Sequence, residues 1–464
     1  LTGFILCLVL LKKLKKEEVV KLIIIFSIIF IGLLSHKTHD DFPYYHFPYI
    51  YNLTQNSAIF GIGKLNYGFR TPSSIFYLNS LFYLPVIKYF TFTIGAALIL
   101  GFSNLIFFKI ILEKLKTKKN DLIFYFSLSS FIFVNIFFYR LQEHGTDRSA
   151  MILIFLLFIN IFLFFINYTK KNIQDIITKI AILVSLIISF KAFYILYLIF
   201  IIPVIFYIIK KKNFSLIKSI LSNIFLYSSF VLILLVLVSY FINTGCFLYP
   251  IAITCFESVN WTLPMSSIKE LSEWYQIWSK GGATPNFRIE NPSEYIKGFN
   301  WVQNWLDIYF FNKVSDFLLG LIFLTSVLLV TFNKINNNQK NLEFLKSETY
   351  SQIKIIYFFI LLLFFEWFYN HPALRYGGYI IIALIFFIPL SNYLARLNYD
   401  KKVYYKTYFL IFLTLSIFSL RNIHRISKEI NMYSYKPFVK PYYFVDDYHF
   451  RIDKQIDKIF KIKN

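Results

Sequence analysis

The sequence predicts an all-α polytopic membrane protein with about eleven transmembrane helices. Three observations predict it. Hydrophobic residues make up 57% of the 464 residues and charged residues only 16%, where a soluble domain carries about 25% charged; the mean hydropathy is +0.57. Runs such as 122–139, 151–168 and 224–242 approach the roughly 20 apolar residues that span hydrocarbon, where only a helix satisfies its own backbone. Finally, the basic residues behind a formal net charge of +23 fall mainly in short connectors between apolar runs. That is the positive-inside pattern, so the expected partner is the lipid bilayer and no nucleic acid.

The opening run LTGFILCLVLL is about half a spanning length and is followed by KKLKK, the reverse of a signal peptide's order. Residues 1–21 are therefore read as the remnant of an upstream helix with its cytoplasmic connector. Crossings follow near 22–35, 92–112, 121–139, 149–167, 174–190, 192–209, 220–243, 315–332, 353–369, 378–395 and 407–421. The cytoplasmic connectors carry about 25 of the 48 Lys and Arg residues, against about 13 spread over far longer opposite connectors. The hairpin 174–209 is tight, because only Phe190, Lys191 and Ala192 join its helices. Two long extracytoplasmic segments result, 36–91 and 244–314. In the first, 43–60 and 72–90 read as amphipathic helices lying along the membrane face. The second holds five of the six tryptophans (Trp261, Trp274, Trp278, Trp301 and Trp305), which suit an interfacial belt or a carbohydrate-facing surface. The transmembrane domain is thus 22–421, and 422–464 is a basic C-terminal tail that strict alternation places outside.

The unusual polar residues gather at the extracytoplasmic ends of the crossings. HKTHDDFPYYHF places Asp40, Asp41 and His46 at a helix end, where a carboxylate can act as general base toward a hydroxyl or, with His46, hold a divalent cation. Arg70 with Ser73 and Ser74 offers a guanidinium and hydroxyls before a helix, the chemistry that holds phosphate oxygens. Glu143, His144, Asp147 and Arg148 crowd one short turn. Lys191 lies between two apolar helices, where an ionisable group is by default a functional candidate, and His371 and Arg375 flank a rigid turn. Each group also has an ordinary reading: arginines and Lys191 snorkel to the interface, and 143–148 is a solvated loop with internal ion pairs. Jointly they suggest a cationic pocket with a carboxylate at its rim. Cys246 and Cys255 flank LYPIAIT on the oxidising side, and their spacing suits either a disulfide or two free thiols. Cys7 lies in an apolar run. No thiol cluster with zinc spacing and no phosphate-binding glycine loop appears, so no metal or cofactor is assigned beyond that divalent cation.

Asp41 with Tyr45, the segment GKLNYGFR (63–70) with Ser73 and Ser74, and PALRY (372–376) resemble an uncharacterised family of bacterial multispanning membrane proteins. Over about residues 22–395 the arrangement is similar to the GT-C superfamily of glycosyltransferases. This resemblance implies a polyprenyl-phosphate sugar donor and a glycan, lipid or protein acceptor. It also implies a site on the extracytoplasmic face of the bacterial inner (plasma) membrane. Asp41 or Asp40 would then be the base, and Arg70, Lys191, Arg375, Arg148 and His144 would hold phosphate. Tyr45, His46, Ser73, Ser74, Glu143, Asp147 and His371 would complete the pocket. An O-antigen-type polymerase and a transporter or lipid flippase are the alternatives; a transporter would place its charges nearer the midplane and show repeats.

Overall fold

In hydrocarbon a backbone amide finds no water, so apolar runs close into helices. The structure, a computed structural model, describes residues 15–168, 172–283, 289, 291–332, 347–396, 402–434 and 436, and among these it forms helices and turns with no strand beyond two isolated bridges. Residues 1–14 of the expected upstream remnant and 437–464 of the expected tail lie outside the described residues.

In chain order the helices are α1 (Lys16–Leu33), α2 (Phe47–Gln55), α3 (Ser74–Ser80), α4 (Ile94–Lys116), α5 (Leu122–Phe137), α6 (Asp147–Ile166), α7 (Ile173–Phe190), α8 (Ala192–Lys210), α9 (Phe214–Leu221), α10 (Ile224–Thr244), α11 (Met265–Lys280), α12 (Ser315–Phe332), α13 (Ser347–Asn370), α14 (Gly378–Leu394) and α15 (Lys402–Tyr433). Among the described residues, eight helices are long and apolar enough to cross a membrane, those containing α4, α6, α7, α8, α10, α12, α13 and α15. The shorter apolar helices α5 and α14 coincide with two further expected crossings. The chain is a helical polytopic membrane protein.

Helices that are apolar all round belong inside, and α5 and α6 bury side chains on every face. Between α4 and α5 the amides of Asn104 and Asn135 donate to each other at 2.9 Å, which satisfies two polar groups that lipid could not. By contrast α10 leaves Phe225, Phe230, Leu235 and Val238 exposed, as a lipid-facing helix must.

The first long outer segment departs from the expected pair of surface helices. A π-helical turn over Phe42–His46 leads into α2, which buries Phe47, Tyr49 and Ile50 instead of lying on the membrane face. The expected helix 72–90 is only the seven residues of α3; beyond it the chain turns repeatedly around Pro85, which cannot donate a helical hydrogen bond. The boundary expected at 421 also shifts, because α15 runs unbroken to Tyr433. Charges end a hydropathy signal without ending a helix.

That extension of α15 holds the first outer segment. Glu429 accepts the backbone N–H groups of His36 (2.6 Å) and Lys37 (3.3 Å), and Arg425 binds Glu429 (2.9 Å), Glu143 (2.8 Å) and the carbonyl of Lys37 (2.7 Å). The end of α15 therefore lies on the same face as residues 36–37 and 143. Truncating a partner in such a buried network leaves charge and amides unmatched, so Glu429→Ala should cost about 3 kcal/mol. A lower thermal midpoint in detergent, with exposed Lys428→Ala unchanged, is the expected outcome.

Candidate functional site

The site is built on a clamped turn. After α13 the segment 371–377 cannot continue the helix at Pro372, and its freed carbonyls are taken by indoles: Trp305 Nε1 donates to Pro372 O at 2.9 Å and Trp367 Nε1 to Ala373 O at 3.0 Å. The Tyr309 hydroxyl accepts the Leu374 N–H at 2.9 Å. Gly377, at φ +98°, makes the left-handed step that starts α14. Held this way, Arg375 projects from a one-turn 3-10 segment with its guanidinium 5.4 Å from the Trp278 ring and 5.8 Å from the Tyr376 ring.

Two carboxylates share that guanidinium. Arg375 Nη2 donates to Asp41 Oδ2 at 3.0 Å and Nε to Asp147 Oδ2 at 3.3 Å. Asp147 opens α6, where the helix dipole favours an anion, and its other oxygen pairs with Lys191 Nζ at 2.8 Å. Lys191 is the single extended residue between α7 and α8, and its ammonium lies 5.7 Å from the Tyr376 ring. Four segments remote in sequence thus form one chain, Asp41–Arg375–Asp147–Lys191. Asp147 is buried, while the side chains of Asp41, Arg375 and Lys191 are partly exposed, so the row opens at one end of the helices.

Asp41 is placed by its own neighbours. His39 Nδ1 accepts the Asp41 N–H at 3.0 Å, which assigns the imidazole proton to Nε2 and leaves the ring neutral. The 3.5 Å approach of His39 Nδ1 to Asp41 Oδ2 is therefore no ion pair. Burial raises the Asp41 carboxyl, but its opposing neighbours, Arg375 first among them, together hold the group well below its ordinary range. His39 itself is lowered, first by burial. His46, stacked on His39 at 5.7 Å between ring centres, is pushed down to about 3 by burial and then by His39.

The remaining expected residues divide. Asp40 is exposed and enters none of these pairs. Tyr45 packs edge-on to His46 at 4.4 Å and stands so close to Gly68 that a Cβ there would meet its ring at 2.0 Å. Arg70 is buried and satisfied locally, donating to Gly63 O (3.0 Å) and the Tyr249 hydroxyl (3.2 Å) under the Tyr67 ring. Ser73 and Ser74 brace the scaffold: Ser73 donates to Phe190 O at 2.7 Å and caps α3, and Ser74 meets Ser189 at 2.6 Å, which ties α3 to the residues before Lys191. Glu143 belongs to the α15 latch. His144 and Arg148 turn to Phe138, the first through its carbonyl at 2.6 Å and the second over its ring at 6.0 Å. His371 packs on Phe193 at 5.2 Å. Cys246 and Cys255 are joined in a disulfide.

In the sequence His39 and Tyr376 stand within longer quoted runs and Trp278 in an interfacial or carbohydrate-facing belt, with none of them assigned to the site. His39 lies in the quoted HKTHDDF run, and its contact two residues on depends on a turn that periodicity does not reveal. Among the described residues no group of three or more His, Cys, Asp or Glu side chains is gathered for a metal ion, so the cation expected from Asp41 and His46 finds no third ligand there.

A family model described as Domain of unknown function (DUF8201) matches residues 6–382, and the chain belongs to that family. No curated protein and no solved structure matches it. Asp41, Asp147, Lys191 and Arg375 all fall inside the matched region, whereas Arg425 and Glu429 fall beyond it.

The depressed His46 has a checkable consequence. Its ordinary value is 6.5 and its folded value about 3, so below about pH 6.5 the unfolded chain binds a proton that the folded one refuses. Stability from this group is complete above pH 6.5 and is lost as pH falls, by at most about 1.4 kcal/mol per pH unit. The thermal midpoint should drop between about pH 6.5 and 5, and His46→Phe, which keeps a ring against Phe76, should flatten that drop.

Proposed function

We infer that this member of the DUF8201 family is a glycosyltransferase of GT-C-like architecture with about eleven crossings. It takes a sugar from a polyprenyl-phosphate donor and passes it to an acceptor hydroxyl on the extracytoplasmic face of a bacterial plasma membrane. The observation that carries this reading is the partly exposed row in which Arg375 is divided between Asp41 and Asp147, with Lys191 on the far side. A lipid-linked donor keeps its tail in hydrocarbon and presents its phosphate at the interface, where Arg375 and Lys191 offer charge-assisted hydrogen bonds.

Asp41 is a poor base while Arg375 holds it. Phosphate oxygens compete for the same guanidinium, and as they draw it away the Asp41 carboxylate recovers its basicity. The acceptor oxygen then attacks the anomeric carbon and its proton passes to Asp41. The bond from that carbon to the phosphate oxygen breaks, and its electron pair leaves on the polyprenyl phosphate beside Arg375 and Lys191. Attack from the face opposite the leaving phosphate inverts the anomeric centre. Asp147 holds both cations in register and touches neither reactant.

Two variants test this in proteoliposomes supplied with a lipid-linked sugar. Asp41→Asn should lower transfer by about 10²- to 10⁴-fold, the usual worth of a positioned general base. Arg375→Lys retains the charge but loses the fork that spans two carboxylates, and should fall by about tenfold or more. Unchanged transfer by Asp41→Ala sinks the reading.

A further inference from the structure

The loop after α10 is built unlike the rest of the outer surface. Gly245, at φ +77°, turns the chain sharply out of the helix, and the Cys246–Cys255 disulfide closes the next residues into a ring. Inside it Phe247 N–H donates to Thr254 O at 3.1 Å, Ile251 N–H to Leu248 O at 2.7 Å and Thr254 N–H to Ile251 O at 3.0 Å, so the tip is fixed. What the fixed tip presents is apolar: Ile253 is 93% exposed and Ile251 52% exposed, with Phe247 and Phe256 half-covered at its base. Phe241, Phe247, Phe256 and Trp261 form one ring cluster beneath it, with centres 5.1 to 5.8 Å apart. From Thr244 to Thr262 the only charged residue is Glu257.

We propose that this disulfide-closed loop is a membrane wedge, with Ile251 and Ile253 seated in the leaflet on the side of the candidate site. The occupant follows from continuity. The loop begins directly after Thr244, the last residue of α10, and the outward face of that helix (Phe230, Leu235, Val238) is exposed apolar surface that lipid must cover. A tip leaving that face after one sharp turn stands at the boundary between hydrocarbon and headgroups, where apolar side chains on an uncharged support insert. The wedge also reaches the polar side of the protein, because Tyr249 within the ring accepts a hydrogen bond from Arg70 at 3.2 Å. Arg70 is buried and also donates to Gly63 O, so the ring is tied to the first outer segment. None of this depends on the transfer chemistry.

The test is photocrosslinking of the full chain in nanodiscs of phosphatidylethanolamine and phosphatidylglycerol. p-Benzoylphenylalanine is placed at Ile253, where the side chain meets almost no protein, and for comparison at Glu294, an exposed polar position of the same outer segment. Mass spectrometry should find lipid adducts several-fold more abundant at 253 than at 294. Equal adduct yields, or a crosslink from 253 to a second copy of the chain in place of lipid, would overturn the wedge.

Discussion

The fork of Arg375 is the constraint around which this end of the bundle is arranged. It joins residues 334 and 228 positions away in the chain, Asp41 and Asp147, and through Asp147 it reaches Lys191. At the edge of a membrane an unpaired carboxylate or guanidinium is expensive, so the start of α6, the break between α7 and α8, the turn before α14 and the segment after α1 must arrive together. Aromatic side chains make the arrival reproducible. Trp305 and Trp367 bind the carbonyls before Arg375, and Trp278 and Tyr376 flank its plane.

Much of this was legible in the sequence for a single reason: ionisable residues at the ends of apolar runs are too costly to be accidental, and Asp41, Asp147, Lys191 and Arg375 were conspicuous on that ground. Their pairing was not legible, since it depends on helices far apart in the chain packing side by side. Contacts made to backbone groups were not legible either. Arg70 found Gly63 O, Ser73 found Phe190 O and His144 found Phe138 O, and a carbonyl leaves no mark in a residue pattern. The end of α15 was missed for a related reason. Arg421, Arg425 and Glu429 lower the hydropathy, yet Arg421 lies 3.6 Å from the centre of the Tyr139 ring, Arg425 pairs with Glu143 and Glu429 is buried, so much of their polarity is spent on the protein.

The connector that leaves α1 at Leu33 and reaches Asp41 shows how a stretch without a continuous helix or strand ladder is held. Every buried backbone group needs a partner, and here most partners are side chains. Gln142 Nε2 takes Leu33 O at 2.6 Å, Glu429 takes two successive N–H groups, Arg425 takes Lys37 O, and His39 takes the Asp41 N–H. Backbone partners complete the set: Leu34 N–H donates to Ile31 O, His39 N–H to Gln142 O, and His39 O accepts from Phe42 N–H. The position of Asp41 is therefore inherited from α15 and from the turn before α6. Residues beyond the family-matched region stabilise a carboxylate inside it, although they share no contact with Arg375.

Counting charge along the proposed transfer explains why a neutral row suits it. With His39 neutral, Asp41, Asp147, Arg375 and Lys191 sum to zero, so within this row each cation already has a carboxylate partner. A phosphodiester donor brings one negative charge, and bond cleavage leaves a phosphate monoester with two. Over the same interval Asp41 gains the acceptor proton and gives up its claim on Arg375. The guanidinium therefore has least hold on phosphate in the ground state and most as the leaving group forms, which is the differential binding that accelerates a reaction. A lone arginine with no carboxylate rival would bind donor and leaving group alike and would tighten the donor complex without lowering the barrier between them. On this reading the ion pair that gives Asp41 its depressed resting state is what makes the later transfer of Arg375 to phosphate productive.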